Sequence, residues 1–174
     1  ANIAFISLGC DKNRVDSEVM LGILNERGYT PVSDEAEADI IVINTCCFIK
    51  DALEESIETI LEMAEYKNNG RCKGLIVAGC LAQRYENDIF KEMPEVDAVI
   101  GTAAYEGVAD VADEILSGKS GIHAMRDINA QMDESNAMKR VISTAGHYAY
   151  LKKSEGCDNY CTYCVIPKIR GRHR

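Results

Sequence analysis

The chain lacks any apolar run that approaches the roughly 20 residues of a membrane-spanning helix. Its first ten residues, ANIAFISLGC, lack the charged start and the long apolar stretch of a secretory signal peptide. Low-complexity tracts and internal repeats of motif length are also missing. We therefore expect a cytoplasmic protein. Its length fits one domain with some additional residues, or two domains of which the second is incomplete.

Positive charge is scarce over most of the 174 residues. Residues 1–138 hold 11 Lys and Arg against 26 Asp and Glu, whereas residues 139–174 hold 8 against 2. An acidic surface repels phosphates, so we do not expect this chain to bind nucleic acid directly. The same surface would suit a basic protein partner, although acidic surfaces are also common in cytosolic proteins.

Apolar strands alternate with amphipathic helices up to residue 118. Strands are predicted over 3–8, 39–44, 74–79 and 98–101. Helices are predicted over 17–27 with Asp16 as N-cap, over 51–66, up to Glu92, and from Val108 to Gly118. Fully apolar strands in such an alternation are typical of a parallel sheet covered on both faces. We therefore expect an α/β fold with an open parallel sheet over residues 1–118.

Residues 119–146 interrupt this alternation. They are polar and weakly periodic, and we interpret them as a linker. The segment 147–157, HYAYLKKSEGC, predicts the first strand of a new unit that continues to residue 174.

Eight cysteines in a chain without a secretion signal indicate metal or redox chemistry rather than disulfides. Cys10, Cys46 and Cys80 each follow a predicted strand by one or two residues. Parallel strands end along one edge, where open α/β sheets bind their ligands, so these three thiols should converge. Three convergent thiols predict an iron–sulfur cluster or a zinc site. The alternative for each one is a buried cysteine that serves as a small apolar side chain.

Two further cysteines occupy different positions. Cys72 precedes the third strand, at the opposite edge of the sheet, and we interpret it as structural. Cys47 directly follows Cys46, and consecutive side chains rarely point the same way. Only one of these two neighbours should therefore face the ligand-binding edge.

The C-terminal cysteines Cys157, Cys161 and Cys164 form a C-x-x-x-C-x-x-C motif. Three thiolates on one short loop can hold three irons of a 4Fe–4S cluster and leave the fourth iron open. The alternative is a zinc knuckle with His147 or His173 as the fourth ligand.

A basic run follows this motif, with members Lys168, Arg170, Arg172 and Arg174. One interpretation is that these side chains face a carboxylate of a cofactor or of an acidic substrate. The other is that they belong to a solvated charged loop.

Both cysteine sets lie in stretches that resemble the methylthiotransferase family of radical S-adenosylmethionine enzymes. Four motifs match in the family order: SLGCDKNRVDSE (7–18), NTCCFIKDALEES (44–56), VAGCLAQRY (77–85) and EGCDNYCTYCVIPKIRG (155–171). Tyr163 also fits, because an aromatic residue commonly precedes the last cysteine in this superfamily. The opening motif resembles the RimO branch, which modifies an aspartate of small-subunit ribosomal protein twelve. The alternative is the tRNA-modifying MiaB branch, which typically has a GCQMN-type opening.

The resemblance implies two 4Fe–4S clusters and S-adenosylmethionine as cofactors. Their implied ligands are Cys10, Cys46 and Cys80 for the first cluster, and Cys157, Cys161 and Cys164 for the second, whose open iron binds S-adenosylmethionine. The NTC match favours Cys46 over Cys47 as a ligand. The implied reaction is transfer of a methylthio group to the β-carbon of the aspartate, with electrons from an external donor and a radical derived from the cofactor.

Family members continue through a (β/α) barrel that surrounds S-adenosylmethionine, so residues 147–174 would be the start of that barrel. We therefore expect the chain alone to be inactive. A different class of function is a non-catalytic iron–sulfur scaffold or electron-transfer protein. A flavodoxin-like flavin module is another alternative, but the loop GCDKN after the first strand lacks the Ser/Thr-rich phosphate cradle of such a module.

Overall fold

The computed structural model describes residues 1–131 and 133–174. One sheet of six parallel strands runs in the order β2-β1-β3-β4-β5-β6. The strands are β1 (Asn2–Ser7), β2 (Thr30–Pro31), β3 (Ile40–Thr45), β4 (Gly74–Gly79), β5 (Ala98–Ile100) and β6 (Ile122–Ala124). The α-helices are α1 (Asp11–Glu26), α2 (Lys50–Asn68), α3 (Cys80–Glu92), α4 (Val108–Leu116), α5 (Glu134–Ala137) and α6 (Ile166–Arg170). Short 3-10 helices lie at Glu35–Glu37 and Tyr105–Gly107.

Every residue of the central strands β3 and β4 is buried, because helices cover both faces of the sheet. Side chains alternate between these faces. One face packs against α2 and α3 through Ile41, Ile43, Leu75, Val77, Ile60, Met63 and Ile89. The other packs against α1 and α4 through Ile40, Val42, Ile76, Met20, Leu24, Val111 and Ile115. The predicted α/β fold with an open parallel sheet is confirmed.

The register of the strands places their carboxyl ends at one edge. Ser7 of β1 pairs with Asn44 of β3, and Thr45 of β3 pairs with Gly79 of β4. The residues that follow these three strands are therefore neighbours along that edge, which we call the cysteine edge because Cys10, Cys46 and Cys80 lie on it.

Helix α1 begins earlier than the sequence predicts. Its first residue is Asp11 and its N-cap is Cys10, so the expected N-cap, Asp16, lies inside the helix. Asp16 is only 3% exposed, because it forms ion pairs with Lys152 and Arg170 from the C-terminal segment. Helical periodicity predicts an apolar residue at a buried position of α1. Asp16 is stable there because cations from a part of the chain that is distant in sequence pair with it.

The stretch predicted as a linker, 119–146, contains part of the folded domain. Strand β6 pairs in parallel with β5, and this three-residue strand is too short to produce a periodic pattern. Further along, the Val141 amide donates to the Glu18 carbonyl at 3.0 Å. At Gly22 an added Cβ would lie 1.8 Å from the Lys139 carbonyl oxygen, so the backbone of this stretch touches α1.

The strand predicted over 147–157 is not formed. Most of this segment is irregular. Glu155 and Arg174 exchange backbone hydrogen bonds at 2.8 and 3.0 Å, and the Cys157 amide donates to the Gly171 carbonyl at 3.1 Å. A strand requires a partner along its length, and among the described residues the long-range backbone partners of this segment meet only its last three residues. In the part of the chain that is described, no helix has the length and apolar character needed to cross a membrane.

Candidate functional site

Two of the three cysteines at the cysteine edge lie at helix N-termini. Cys10 is the exposed N-cap of α1, and Cys80 is the buried first residue of α3. Cys46 is buried and directly follows β3. The topology thus brings all three predicted residues to one edge, as the strand-end argument requires.

Glycines with left-handed backbone allow the tight turns into these helices. Gly9 precedes Cys10 with φ +85°, and Gly79 precedes Cys80 with φ +91°. A Cβ on Gly9 would lie 2.6 Å from Cβ and 3.0 Å from Sγ of Cys46. The side chain of Cys46 therefore packs directly against the peptide that leads into Cys10.

Polar side chains from the same motifs hold the strand ends together. Asn13 donates to the carbonyls of Leu8 and Thr45 at 3.1 and 2.8 Å, which joins the ends of β1 and β3. The Ser56 hydroxyl accepts from the Cys46 amide at 3.0 Å and donates to its carbonyl at 2.8 Å. The backbone that positions Cys46 is therefore fixed on both sides of its Cα atom.

Cys47 is buried in the core that α2 and α3 form with the sheet. It is 3% exposed, and its Sγ donates to the carbonyl oxygen of Cys80 at 3.3 Å. Burial raises the pKa of the Cys47 thiol, although the nearby Arg84 guanidinium opposes the rise. Cys72 is buried before β4, where its Sγ donates to the Gly74 carbonyl at 3.2 Å.

The buried Cys80 thiol faces the guanidinium of Arg170, with 3.7 Å between Sγ and Nη2. Burial raises the pKa of Cys80 to about 11, and Arg170 opposes this rise. The charges of Cys46 and Cys47 would raise the pKa of Cys80 further, because both thiols lie near it.

Arg170 belongs to a buried network of two cations and two carboxylates. Its Nη1 donates to Asp16 at 2.7 Å and to Glu155 at 2.9 Å, while Lys152 contacts the same two carboxylates at 2.5 Å each. Burial by itself would raise the pKa of Glu155, but the Arg170 and Lys152 charges outweigh it and hold that pKa at about 2. Within the predicted basic run, Arg170 is thus neither solvated nor free to face a ligand carboxylate, whereas Arg172 is exposed.

The second cysteine set lies on the loop before α6. Cys161 is exposed, Cys157 and Cys164 are half-buried, and the Cys164 amide donates to the Cys161 carbonyl at 3.0 Å. Gly156, with φ +71°, precedes Cys157, so three of the six candidate ligands follow a left-handed glycine. A cavity of about 200 Å³ opens beside the loop, lined by Tyr160, Cys161, Thr162, Cys164, Pro167 and Lys168.

Neither set is assembled to ligand distance in this conformation. Within residues 1–131 and 133–174, no three His, Cys, Asp or Glu side chains are arranged to hold a metal ion. This finding also covers the zinc knuckle with His147 or His173. The sheet aligns Cys10, Cys46 and Cys80 along one edge.

Although Asp16 was expected as an N-cap and Arg170 as part of a basic run, the sequence did not predict the polar frame around the cysteines. Its members are Asn13, Asp16, Ser17, Asn44, Ser56, Glu155 and Arg170. The available signal was the presence of Asn13, Asp16 and Ser17 on the inward side of a helix, where apolar residues are the rule.

Comparison with known proteins identifies the family of this chain. Residues 2–101 match the family described as Uncharacterized protein family UPF0004, and the chain belongs to this family.

Three relatives share the name Ribosomal protein uS12 methylthiotransferase RimO. The protein from Lachnoclostridium phytofermentans is 58% identical over 172 residues, that from Trichlorobacter lovleyi 52% over 172, and that from Acetivibrio thermocellus 53% over 176. Each alignment covers 99% of this chain but only 38–39% of the relative. The resemblance to the methylthiotransferase family, predicted from four motifs, and that to its RimO branch, predicted from the opening motif, are confirmed. The chain spans less than two fifths of the length of these relatives.

Proposed function

We propose that this chain is the cluster-binding part of a RimO-type methylthiotransferase, which adds a methylthio group to the β-carbon of an aspartate in ribosomal protein uS12. The observation that carries the proposal is the 58% identity to a protein of that name across 99% of the chain. The two cysteine sets lie inside the matching stretch. Such an enzyme is a cytoplasmic transferase that takes electrons from an external donor.

The residues at the cysteine edge fit an anionic 4Fe–4S cluster held by Cys10, Cys46 and Cys80. Helix N-termini stabilise thiolates, and Cys10 and Cys80 both occupy that position. The Arg170 guanidinium supplies a positive charge beside the Sγ of Cys80. Soft thiolate donors in a partly buried, electropositive setting are the donors that iron–sulfur clusters take.

Cys46 rather than Cys47 is the proposed third ligand. Its side chain lies against Gly9, next to Cys10, whereas Cys47 faces the core and is engaged by the Cys80 carbonyl.

The second proposed cluster is held by Cys157, Cys161 and Cys164, beside the cavity that Tyr160 and Lys168 line. When bound, the two clusters supply one-electron chemistry and open irons, the second of which would take S-adenosylmethionine. The chain's own part is to present three thiols from one loop and to hold that loop near the cysteine edge. It does so through the Thr102 hydroxyl, which donates to the Ile169 carbonyl at 2.6 Å, and through the Arg170 network.

Iron content tests the two proposed clusters. Anaerobic reconstitution of this chain should load about eight irons per chain. Replacing Cys10, Cys46 or Cys80 by Ala should lower the iron content to about four per chain. The matched control is Cys72→Ala, which removes a buried cysteine before β4 and should retain about eight. An iron content that is unchanged in all three edge variants would contradict the first cluster.

Product analysis tests the substrate and the activity of the chain alone. A full-length relative and this chain are incubated with S-adenosylmethionine, a reductant and a uS12 peptide, and the peptide is analysed by mass spectrometry. We expect the methylthio group only with the full-length protein, because this chain holds 38% of that length. Comparable modification by the chain alone would contradict its proposed inactivity. A parallel incubation replaces the peptide by tRNA, and modification of tRNA but not of the peptide would assign the MiaB-type reaction.

A further inference from the structure

One buried guanidinium links the two cysteine sets. Arg170 follows Cys164 by six residues, in α6, and reaches the cysteine edge with only 3% of its surface exposed. Its Nη2 donates to the Asn13 side-chain oxygen and lies 3.7 Å from the Sγ of Cys80. A side chain from the segment that carries the second set thus contacts a residue of the first set.

The surroundings of this guanidinium hold it in place. Its other terminal nitrogen donates to Asp16 and Glu155, and Lys152 completes a network of two positive and two negative charges. A buried cation without such partners would be strongly destabilising, so the two carboxylates are what allow Arg170 to sit beside a thiol. The planar guanidinium satisfies several acceptors at once, which a lysine ammonium cannot do from one position.

We propose that Arg170 is a positioning residue for the first cluster. It provides a charge-assisted hydrogen bond to the Sγ of Cys80, and it fixes the segment of the second cysteine set against the cysteine edge. This inference rests on the proposed function, because it assigns a partner to one of the cluster's ligands. Hydrogen bonds and positive charge at a cluster sulfur favour the reduced state, so the reduction potential of the first cluster depends on Arg170.

The potential is measured on the full 174-residue chain with Cys157, Cys161 and Cys164 replaced by Ser, so that only the first cluster remains. EPR-monitored titration then compares Arg170→Gln and Arg170→Lys with this parent. We expect Arg170→Gln to make reduction about tenfold less favourable, which is 59 mV for a one-electron couple. Arg170→Lys keeps the charge but loses the planar geometry. Its reduction potential should lie between that of the parent and that of Arg170→Gln.

Arg140→Gln is the matched control. Arg140 is also a partly buried guanidinium that is paired with a carboxylate, Glu18, and it donates to the Tyr150 carbonyl. Its loss weakens the fold in a similar way without removing the donor to Cys80. The potential should therefore stay at the parent value in this variant. A potential in Arg170→Gln equal to that of the control would overturn the inference.

A spectroscopic measurement covers the case in which Arg170→Gln does not fold. The parent chain, labelled with ¹⁵N-arginine, should show a ¹⁵N coupling in pulsed EPR of the reduced cluster, and Arg170→Lys should lose it. No such coupling in the parent overturns the inference while leaving the cluster itself established. A parent chain that binds no iron at all overturns the proposed function, and this inference with it.

Discussion

Replacing Gly79 by Ala tests whether the geometry of the turn before Cys80 shapes the cysteine edge. Gly79 has φ +91°, and a Cβ there would lie 2.2 Å from the Asn44 side-chain oxygen and 2.7 Å from the Thr45 carbonyl oxygen. With ψ −149°, Gly79 lies in a positive-φ extended region that is almost exclusive to glycine, where another residue costs about 1–3 kcal/mol. Crowding against a buried backbone carbonyl, which cannot rotate away, adds about 1–3 kcal/mol.

Gly118→Ala separates these two costs. Gly118 has φ +93°, and nothing lies within 4 Å of a Cβ built on it. Both glycines have a positive φ near 90°, and the entropy gained by restricting the unfolded chain, about 0.4–1 kcal/mol, is common to both variants. We therefore expect Gly79→Ala to lower the free energy of unfolding by about 1–3 kcal/mol more than Gly118→Ala does.

Urea unfolding of the metal-free chain measures this difference, because linear extrapolation yields the free energy of each variant. Iron content after reconstitution gives the functional consequence. The crowding displaces the first turn of α3, so Gly79→Ala should lose most of the first cluster and Gly118→Ala should keep it. Equal destabilisation of the two variants, with equal iron content, would refute the claim that close approach at Gly79 positions Cys80.

Two further predictions concern ligand choice and acid stability. Cys46→Ala should lose the first cluster in an iron assay while Cys47→Ala retains it, and the reverse result would make Cys47 the ligand. Burial raises the pKa of Glu18, but hydrogen bonds from Ser143 and Arg140 outweigh it and lower that pKa below 4.5. The stability that ionised Glu18 provides is therefore present above pH 4.5 and is lost as the pH falls below it. Glu18→Gln should cost about 2 kcal/mol in urea unfolding at pH 7 and flatten the acid dependence. An unchanged acid dependence would show that other carboxylates cause it.

The sequence alone determined four of the six strands, most helices and the three cysteines that follow the strand ends. Apolar runs such as 40–43 and 75–78 are typical of buried central strands, and helical spacing between them implies parallel connections. Parallel strands end on the same side, so the positions of Cys10, Cys46 and Cys80 followed from local pattern and topology. The motifs around them were sufficient to predict the RimO resemblance.

Only the tertiary structure decided how the C-terminal residues meet this edge. Asp16 and Arg170 are 154 positions apart, and neither local pattern predicts that the two are buried together. For the same reason Asp16 was predicted as an N-cap, β6 was assigned to a linker, and a strand was expected over 147–157. Propensity and periodicity report the preferences of a segment by itself. A buried charge, an edge strand and an irregular segment are stable only through a partner elsewhere in the chain, and only the folded chain identifies that partner.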